Sequence, residues 1–202
     1  MPQEHYFSND SASEFRPKVI NVTLAGRELA VTTAGSMFSP DHVDTGTKVL
    51  LENLELAPDD GNILDIGCGW GPISLALAIA RPEATIWAID VNERALELTR
   101  KNAEKLGLTN IRAVLPENVP KEINFTGIWS NPPIRVGKDV LHDILQTWLP
   151  RLVVGAESYL VVQKNLGADS LLKWLQEKFK NFECYRLETS KSFRVLRVSR
   201  ES

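Results

Sequence analysis

The chain has 202 residues, of which 43% are hydrophobic and 24% are charged, and its formal net charge is −3. These values predict one globular domain and exclude a disordered, collagen-like or disulfide-scaffold chain. No apolar stretch approaches the ~18 residues of a membrane span, and the N-terminus has no secretory signal pattern. Cys68 and Cys184 lack zinc-ligand spacing, so we expect a cytoplasmic protein with reduced thiols and no metal.

The charge is distributed unevenly along the chain. Residues 1–99 hold six basic and fifteen acidic side chains, a net of −9, whereas residues 100–202 carry a net of +6. Two interpretations remain open, namely solvated helix faces or a basic surface for a phosphate backbone.

The N-terminal part predicts a small β-hairpin in front of the main fold. Two β-rich runs, 19–24 and 28–33, flank the turn dipeptide Ala25-Gly26. The segment Asp-Thr-Gly-Thr at 44–47 then opens a short helix with a polar N-terminus. We therefore predict a single domain over residues 1–202, with a hairpin extension at 1–43 and a core at 44–202.

From residue 62 onward, strand-like and helix-like segments alternate. This rhythm predicts a mostly parallel sheet covered by helices. The last two strand-like runs are separated by four residues, too few for a parallel crossover, so they must form an antiparallel hairpin. The predicted strands are 62–66, 84–89, 111–115, 125–130, 158–163, 182–188 and 193–199, and the predicted helices are 72–81, 92–106, 140–152 and 170–179.

A glycine-rich turn at 65–71, Asp-Ile-Gly-Cys-Gly-Trp-Gly, follows the first of these strands. Its glycines allow a sharp backbone turn and the close approach of a ligand, although such a turn is also ordinary structural punctuation. A dinucleotide fingerprint would need its third glycine at position 72, which is proline, and there is no phosphate-binding Gly-Lys-Ser/Thr. The turn therefore disfavours a nicotinamide or flavin dinucleotide.

Asp90 closes the next strand, where an acid can accept hydrogen bonds from ribose hydroxyls. The alternative role, capping the following helix, is already filled by Asn92. A ribose-binding acid without phosphate-binding features predicts a nucleoside cofactor without pyrophosphate, and S-adenosylmethionine fits.

Asn131-Pro132-Pro133 comes directly after the predicted strand 125–130. Each proline disfavours the α region for the residue before it, so the Asn131 amide and the Pro132 carbonyl can face one point. Two acceptors at one point suit a planar exocyclic amine, because accepting both of its hydrogens favours a tetrahedral, nucleophilic nitrogen. An aspartate at position 131 would keep an acceptor oxygen. The sequence therefore predicts that Asn131→Asp retains more activity than Asn131→Ala.

Together these motifs resemble the class I methyltransferases. The segments 130–138, Ser-Asn-Pro-Pro-Ile-Arg-Val-Gly-Lys, and 163–169, Gln-Lys-Asn-Leu-Gly-Ala-Asp, are more narrowly similar to the small-subunit ribosomal RNA guanine-N2 methyltransferase (RsmC-like) family. The resemblance runs from about residue 6 to the C-terminus. It implies a Rossmann-like α/β fold whose seven-stranded sheet ends in an antiparallel hairpin, S-adenosylmethionine as donor, and ribosomal RNA or the small ribosomal subunit as partner.

The resemblance also implies roles for residues. It places the glycine turn around the methionine part of the cofactor, Asp90 on the ribose, and Asn131 with Pro132 at the target amine. Position in the chain, rather than the resemblance, makes Gly46 and Thr47 candidates for the cofactor pocket, with a plain helix start as the equal alternative. Lys191 and Arg194 lie on or beside loops expected near the active face and are candidates for phosphate contacts. The predicted sets are catalytic Asn131, Pro132 and Pro133; cofactor-binding Asp65, Gly67, Cys68, Gly69, Asp90, Val91 and Asn131; and substrate-binding Arg135, Lys138 and Lys164.

Two features depart from the family. Its best-known members carry a second, degenerate methyltransferase domain in front, where this chain has the hairpin. Position 134 is isoleucine where many Asn-Pro-Pro enzymes have an aromatic residue, so we expect stacking on the target base to come from Phe38 or Trp70.

Two other functions stay open. A protein glutamine N5-methyltransferase is one, because a carboxamide nitrogen is as planar as a base amine. A non-catalytic RNA-binding or ribosome-assembly module that keeps a cofactor pocket is the other.

Overall fold

A computed structural model describes residues 16–35, 37 and 39–202. It begins with an antiparallel hairpin of β1 (Pro17–Leu24) and β2 (Arg27–Ala34). Ala25 and Gly26 both have positive φ, 48° and 72°, which is the two-residue turn that matches the twist of paired strands. The predicted hairpin is confirmed.

The rest of the described chain forms one seven-stranded sheet in the order β5-β4-β3-β6-β7-β9-β8. Strands β3 to β7 pair in parallel, while β9 runs antiparallel to both β7 and β8. The predicted class I methyltransferase fold is therefore confirmed. The elements are α1 (Thr45–Leu51), β3 (Asp60–Ile66), α2 (Pro72–Ala80), β4 (Glu83–Ile89), α3 (Glu93–Lys105), β5 (Ile111–Val114), β6 (Phe125–Ser130), α4 (Lys138–Trp148), β7 (Leu152–Gln163), α5 (Ala168–Lys178), β8 (Phe182–Ser190) and β9 (Phe193–Arg200).

The largest boundary error concerns the junction of α4 and β7. The predicted helix 140–152 ends at Trp148 and is followed by a 3-10 turn, Leu149–Arg151. Pro150 has no N–H to continue the α-helical ladder, which explains the early end. The strand then begins at Leu152 rather than at 158, and its first half contains Gly155 at φ 82°.

In the described residues, apolar side chains pack on both faces of the sheet and beneath the hairpin. Helices α4 and α5 cover one face of the sheet around Phe125 and Leu145, and α1 and α2 cover the other face around Ile63 and Val195. The hairpin packs on α2 and α3, where Val31 is fully buried. Within the described residues, no helix has both the length and the apolar character needed to cross a membrane.

One buried side chain connects the hairpin to the rest of the protein. Asn102 of α3 is 0% exposed, and its Oδ1 accepts a hydrogen bond from the backbone N–H of Thr32 at 2.7 Å. Its Nδ2 donates to the carbonyl of Thr32 at 2.8 Å and to the carbonyl of Trp70 at 3.0 Å. Asn102 thus joins β2 to the glycine turn through three hydrogen bonds.

Candidate active site

The site lies where the strand order reverses. The chain enters the sheet at β3 and places β4 and β5 on one side and β6 and β7 on the other, which is the position where parallel α/β sheets bind ligands. In the β3–β6 pair Asp65 lies opposite Trp129, and the Ser130 hydroxyl donates to the Ile66 carbonyl at 2.7 Å. The glycine turn and the Asn-Pro-Pro segment are consequently neighbours at the carboxyl edge of the sheet.

Asp90 and Thr99 hold the glycine turn in place through hydrogen bonds to the Gly69 backbone. Gly69 has φ 58°, and its N–H donates to Asp90 Oδ2 at 3.0 Å. Gly71 has φ 97°, and a Cβ there would lie 3.0 Å from Thr99 Oγ1, so only glycine fits without displacement. The Thr99 hydroxyl donates to the Gly69 carbonyl at 3.0 Å. The turn is therefore preformed for a ligand that approaches its backbone.

The Asp90 carboxylate accepts two hydrogen bonds that hold the local backbone, and it can accept more from a ligand. Its Oδ1 accepts from the N–H of Asn92 at 2.9 Å, while Oδ2 holds Gly69. Burial raises the pKa of this carboxyl above its usual value. Each carboxylate oxygen has a second lone pair, and Asp90 lines the main cavity, so the residue suits two ribose hydroxyls.

Replacing Asp90 tests this assignment. We expect Asp90→Ala to weaken S-adenosylmethionine binding by ~1–3 kcal/mol, the usual cost of a lost buried polar partner. Calorimetry below the melting temperature of the variant measures the effect. Glu104→Ala, an exposed change on α3 outside the cavity, is the control. Equal affinities in the two folded variants would rule out the ribose role.

Asp65, predicted to bind the cofactor, lies below the cavity and does not line it. The residue is 0% exposed, and its Oδ2 accepts from the Ser74 backbone N–H at 3.0 Å and from the Ser74 hydroxyl at 2.5 Å. Burial raises the pKa of the Asp65 carboxyl to about 7. The contacts give Asp65 an indirect role, which is to hold the first turn of α2 beneath the glycine turn.

The Asn131 side chain is held at one end only. Its Nδ2 donates to Asp44 Oδ2 at 2.9 Å and to Thr47 Oγ1 at 3.1 Å. Among the described residues, no donor is bonded to its Oδ1. Asn131 lines the cavity, so its amide oxygen is the end available as an acceptor.

The prolines after Asn131 form a tight turn. Pro133 has φ −73° and ψ 74°, and the N–H of Ile134 donates to the carbonyl of Pro132 at 2.8 Å. These values describe an inverse γ-turn. One lone pair of the Pro132 carbonyl is thereby used, and the second remains for a ligand.

A single cavity of about 990 Å³ joins these groups. It also reaches Asp44 and Thr47, whereas Gly46 is not among its lining residues. Burial raises the pKa of the Cys68 thiol well above its usual value, which keeps this lining residue protonated. The described residues contain no cluster of His, Cys, Asp and Glu fit for a metal ion. The predicted residues on the cavity wall are Gly67, Cys68, Gly69, Asp90, Val91, Asn131, Pro132 and Pro133.

Of the predicted cationic residues, Lys138, Lys164, Lys191 and Arg194 do not line this cavity. Lys138 and Lys164 are exposed, the first at the start of α4 and the second just after β7. The side chain of Arg135 lies outside the described part of the chain. Arg194 is 8% exposed and forms an ion pair with Asp169, so it does not offer a free guanidinium to phosphate.

Of the two residues expected to stack on a base, Trp70 lies in the described part of the chain. Phe38 lies outside the described residues, and Trp70 touches the cavity but is only 2% exposed. Phe193, at the start of β9, is half-buried and lines the cavity together with Gln163. Sequence reasoning missed Asp44, Gln163 and Phe193. Asp44 had a signal as a helix cap, but nothing local indicates that it faces Asn131.

Comparison with known proteins identifies the family. The sequence from residue 28 to residue 197 matches the model of the methyltransferase small domain. The chain belongs to the methyltransferase small domain family. An uncharacterised Bacillus subtilis protein, YbxB, is 38% identical over 179 residues, which cover 87% of this chain and 89% of that protein.

Two other relatives of this methyltransferase small domain have names that state an activity. Ribosomal RNA small subunit methyltransferase C of Pseudoalteromonas translucida is 31% identical over 82% of this chain and 49% of its own length. A T. thermophilus 16S rRNA N2 G1207 methyltransferase, solved with AdoMet and guanosine, superposes with a TM-score of 0.78 at 25% identity, covering 92% of this chain and 51% of that one. The chain thus spans about half the length of these two relatives.

These relatives confirm two expectations from the sequence. The resemblance to the RsmC-like methyltransferases is confirmed. S-adenosylmethionine is the cofactor expected for this methyltransferase small domain. The preformed glycine turn and the open acceptor positions of Asp90 suit that cofactor.

Proposed function

We propose that this protein methylates an exocyclic amine of RNA, and that the amine is N2 of a guanine in small-subunit ribosomal RNA. The observation that carries the proposal is the Asn131 amide. Its nitrogen is held by Asp44 and Thr47. Its oxygen accepts no hydrogen bond from the described residues and lies in the cavity that also contains the glycine turn and Asp90.

S-adenosylmethionine, when bound, supplies an electrophilic methyl group on a sulfonium. Asn131 Oδ1 and the Pro132 carbonyl accept the two hydrogens of the target amine, which favours a tetrahedral nitrogen with a directed lone pair. The γ-turn at Pro133 fixes the direction of the Pro132 carbonyl. Because these acceptors supply positioning, the amine can lose its proton after methyl transfer and no strong base is needed.

The cavity also offers surfaces to the faces of a base. Phe193, Ile134 and Leu166 are among the residues that line it, and Leu166 is 44% exposed. A base in a helix would have to be flipped out or presented single-stranded to enter the cavity. The preference for guanine rests on the relatives, since the same two acceptors also suit adenine N6 or a glutamine amide.

Product analysis tests the proposed function. The purified protein is incubated with labelled S-adenosylmethionine and with small subunits or RNA from cells that lack it, and nucleosides are then analysed by mass spectrometry. We expect N2-methylguanine in RNA, and far less of it in the same time with Asn131→Ala. Label in N6-methyladenine would show that the target is adenine rather than guanine. Label in protein glutamine would show that the substrate is a protein and would overturn the RNA proposal.

Three lysines form the proposed RNA surface. Lys138 follows the Asn-Pro-Pro turn, Lys164 follows β7, and Lys191 lies in the turn between β8 and β9. The Lys164 N–H donates to the Ser192 carbonyl at 2.8 Å, so two of these loops are in contact at the carboxyl edge. Lys138 and Lys164 are exposed. Lys191 is also at the surface, where its Nζ lies 3.7 Å from Glu52 Oε1.

Reversing these charges tests the surface. We expect the triple change of Lys138, Lys164 and Lys191 to Glu to weaken RNA binding and to reduce the slope of log K against log salt by roughly 0.7–0.9 per lost phosphate contact. Titrations at several salt concentrations measure this. The control reverses three exposed lysines in or after the last turns of α3 and α5, at the opposite edge: Lys105, Lys178 and Lys180. Equal slopes for both triple variants would place the RNA elsewhere.

A further inference from the structure

We propose that Asp44 is a positioning residue that decides which end of the Asn131 amide faces the target nitrogen. The inference deepens the proposed function and rests on it. Asp44 lies on the cavity wall, half-buried, and its Oδ2 accepts from Asn131 Nδ2 at 2.9 Å. No other carboxylate among the described residues is bonded to Asn131.

The orientation of Asn131 matters because the two ends of an amide have nearly the same shape and opposite hydrogen-bonding character. With Oδ1 toward the target, the amide accepts a hydrogen from the amine. With Nδ2 toward the target, two donors face each other and the amine is not activated. A rotation of 180° about the last side-chain bond therefore separates a productive from an unproductive site.

Asp44 distinguishes the two orientations, whereas Thr47 alone does not. An ionised carboxylate only accepts hydrogen bonds, so it pairs with Nδ2 and repels Oδ1. The Thr47 hydroxyl, 3.1 Å from Nδ2, both donates and accepts and suits either end of the amide. The carboxylate is thus the group that selects the productive orientation.

Asp44 is itself held rigidly as the N-cap of α1. Its Oδ2 also accepts from the backbone N–H of Gly46 at 2.8 Å and of Thr47 at 3.2 Å. A Cβ at position 46 would lie 2.7 Å from Cε1 of Phe193, so glycine lets the start of α1 sit against the first residue of β9. The helix start therefore fixes the carboxylate in front of Asn131.

Two replacements separate the cap from the contact with Asn131. Asp44→Ser keeps a good N-cap but is too short to reach Asn131. Asp44→Asn replaces the second carboxylate oxygen with an NH2 group, but the backbone N–H groups of Gly46 and Thr47 still select its oxygen for the position that accepts from Asn131. We expect kcat to fall about 10-fold to 100-fold in Asp44→Ser with little change in KM, and Asp44→Asn to recover most of the loss. Asp59→Ser, a change at a side chain that is 97% exposed, is the control.

A double-mutant cycle asks whether Asp44 acts through Asn131. If it does, adding Asp44→Ser to Asn131→Ala lowers kcat no further. If the two losses multiply, Asp44 acts independently of Asn131 and the proposal is overturned. A role in folding alone would lower the melting temperature and leave kcat of the folded fraction unchanged, which also overturns it.

A measurement without substrate separates this inference from the proposed function. In a ¹⁵N–¹H spectrum the Asn131 side-chain amide is the pair of signals that disappears in Asn131→Ala. We expect its hydrogens to exchange with water several-fold faster in Asp44→Ser than in the unmodified protein. An unchanged exchange rate overturns the inference even if the protein methylates RNA. Faster exchange in a protein that methylates no RNA supports the contact and refutes the proposed function.

Discussion

Asn131→Ala is expected to lower the rate of methyl transfer by ~10²–10³, with a much smaller change in substrate affinity. The variant removes one of two preorganised acceptors that matter most as the target nitrogen becomes tetrahedral, and the loss of one such partner has this usual cost. Single-turnover kinetics with saturating RNA measure the rate, and titrations measure the affinity. Asn181→Ala, an exposed change between α5 and β8, is the matched control.

Asn131→Asp is expected to be as inactive as Asn131→Ala. The sequence alone predicts that Asn131→Asp is the more active of the two variants, because an aspartate keeps an acceptor oxygen. In the structure, however, the Asn131 Nδ2 lies 2.9 Å from Asp44 Oδ2, so the variant would place two carboxylates in contact. Like charges at this distance disfavour joint ionisation and push the side chains apart. Undiminished transfer in Asn131→Ala would remove the proposed mechanism, and a more active Asn131→Asp would show that Asp44 does not constrain position 131.

Asn102→Ala is expected to lower the free energy of unfolding by roughly 3–5 kcal/mol. The change leaves the N–H and carbonyl of Thr32 and the carbonyl of Trp70 without their partners, each at a cost of ~1–3 kcal/mol where the group stays buried. A loss of this size corresponds to a drop of about 10 °C in melting temperature for a chain of this length. Urea titration and thermal melts measure both quantities.

The matched control for Asn102 is Asn21→Ala, an exposed asparagine in the hairpin itself. Surface replacements of this kind stay within about 0.5 kcal/mol. Because Trp70 belongs to the glycine turn, Asn102→Ala should also weaken S-adenosylmethionine binding at temperatures where it is folded. Similar stabilities of the two variants would mean that water replaces Asn102 at no cost.

The fold and the cofactor side of the site were predictable because their signals are local. Hydrophobic runs of strand and helix length alternate from residue 62 onward, and the glycine turn and Asp90 each follow directly on a strand. In a parallel sheet the carboxyl ends of neighbouring strands meet at one edge, so order along the chain was enough to bring Gly67, Gly69, Asp90 and Asn131 to one cavity. Asp65 belongs to the same motif but points beneath the turn, because a strand alternates the faces of successive residues.

The amino-acid sequence by itself thus determined the class I methyltransferase fold, its cofactor and the Asn131-Pro132-Pro133 turn. Only the tertiary structure decided which groups surround that turn. Asp44 meets Asn131 across 87 residues of sequence, and Asn102 meets Thr32 across 70. Contacts of such separation leave no period or spacing in the sequence, since they depend on how α1 and the hairpin pack against a sheet formed by later segments. The orientation of the Asn131 amide therefore follows from packing, whereas its place at the end of β6 follows from the sequence.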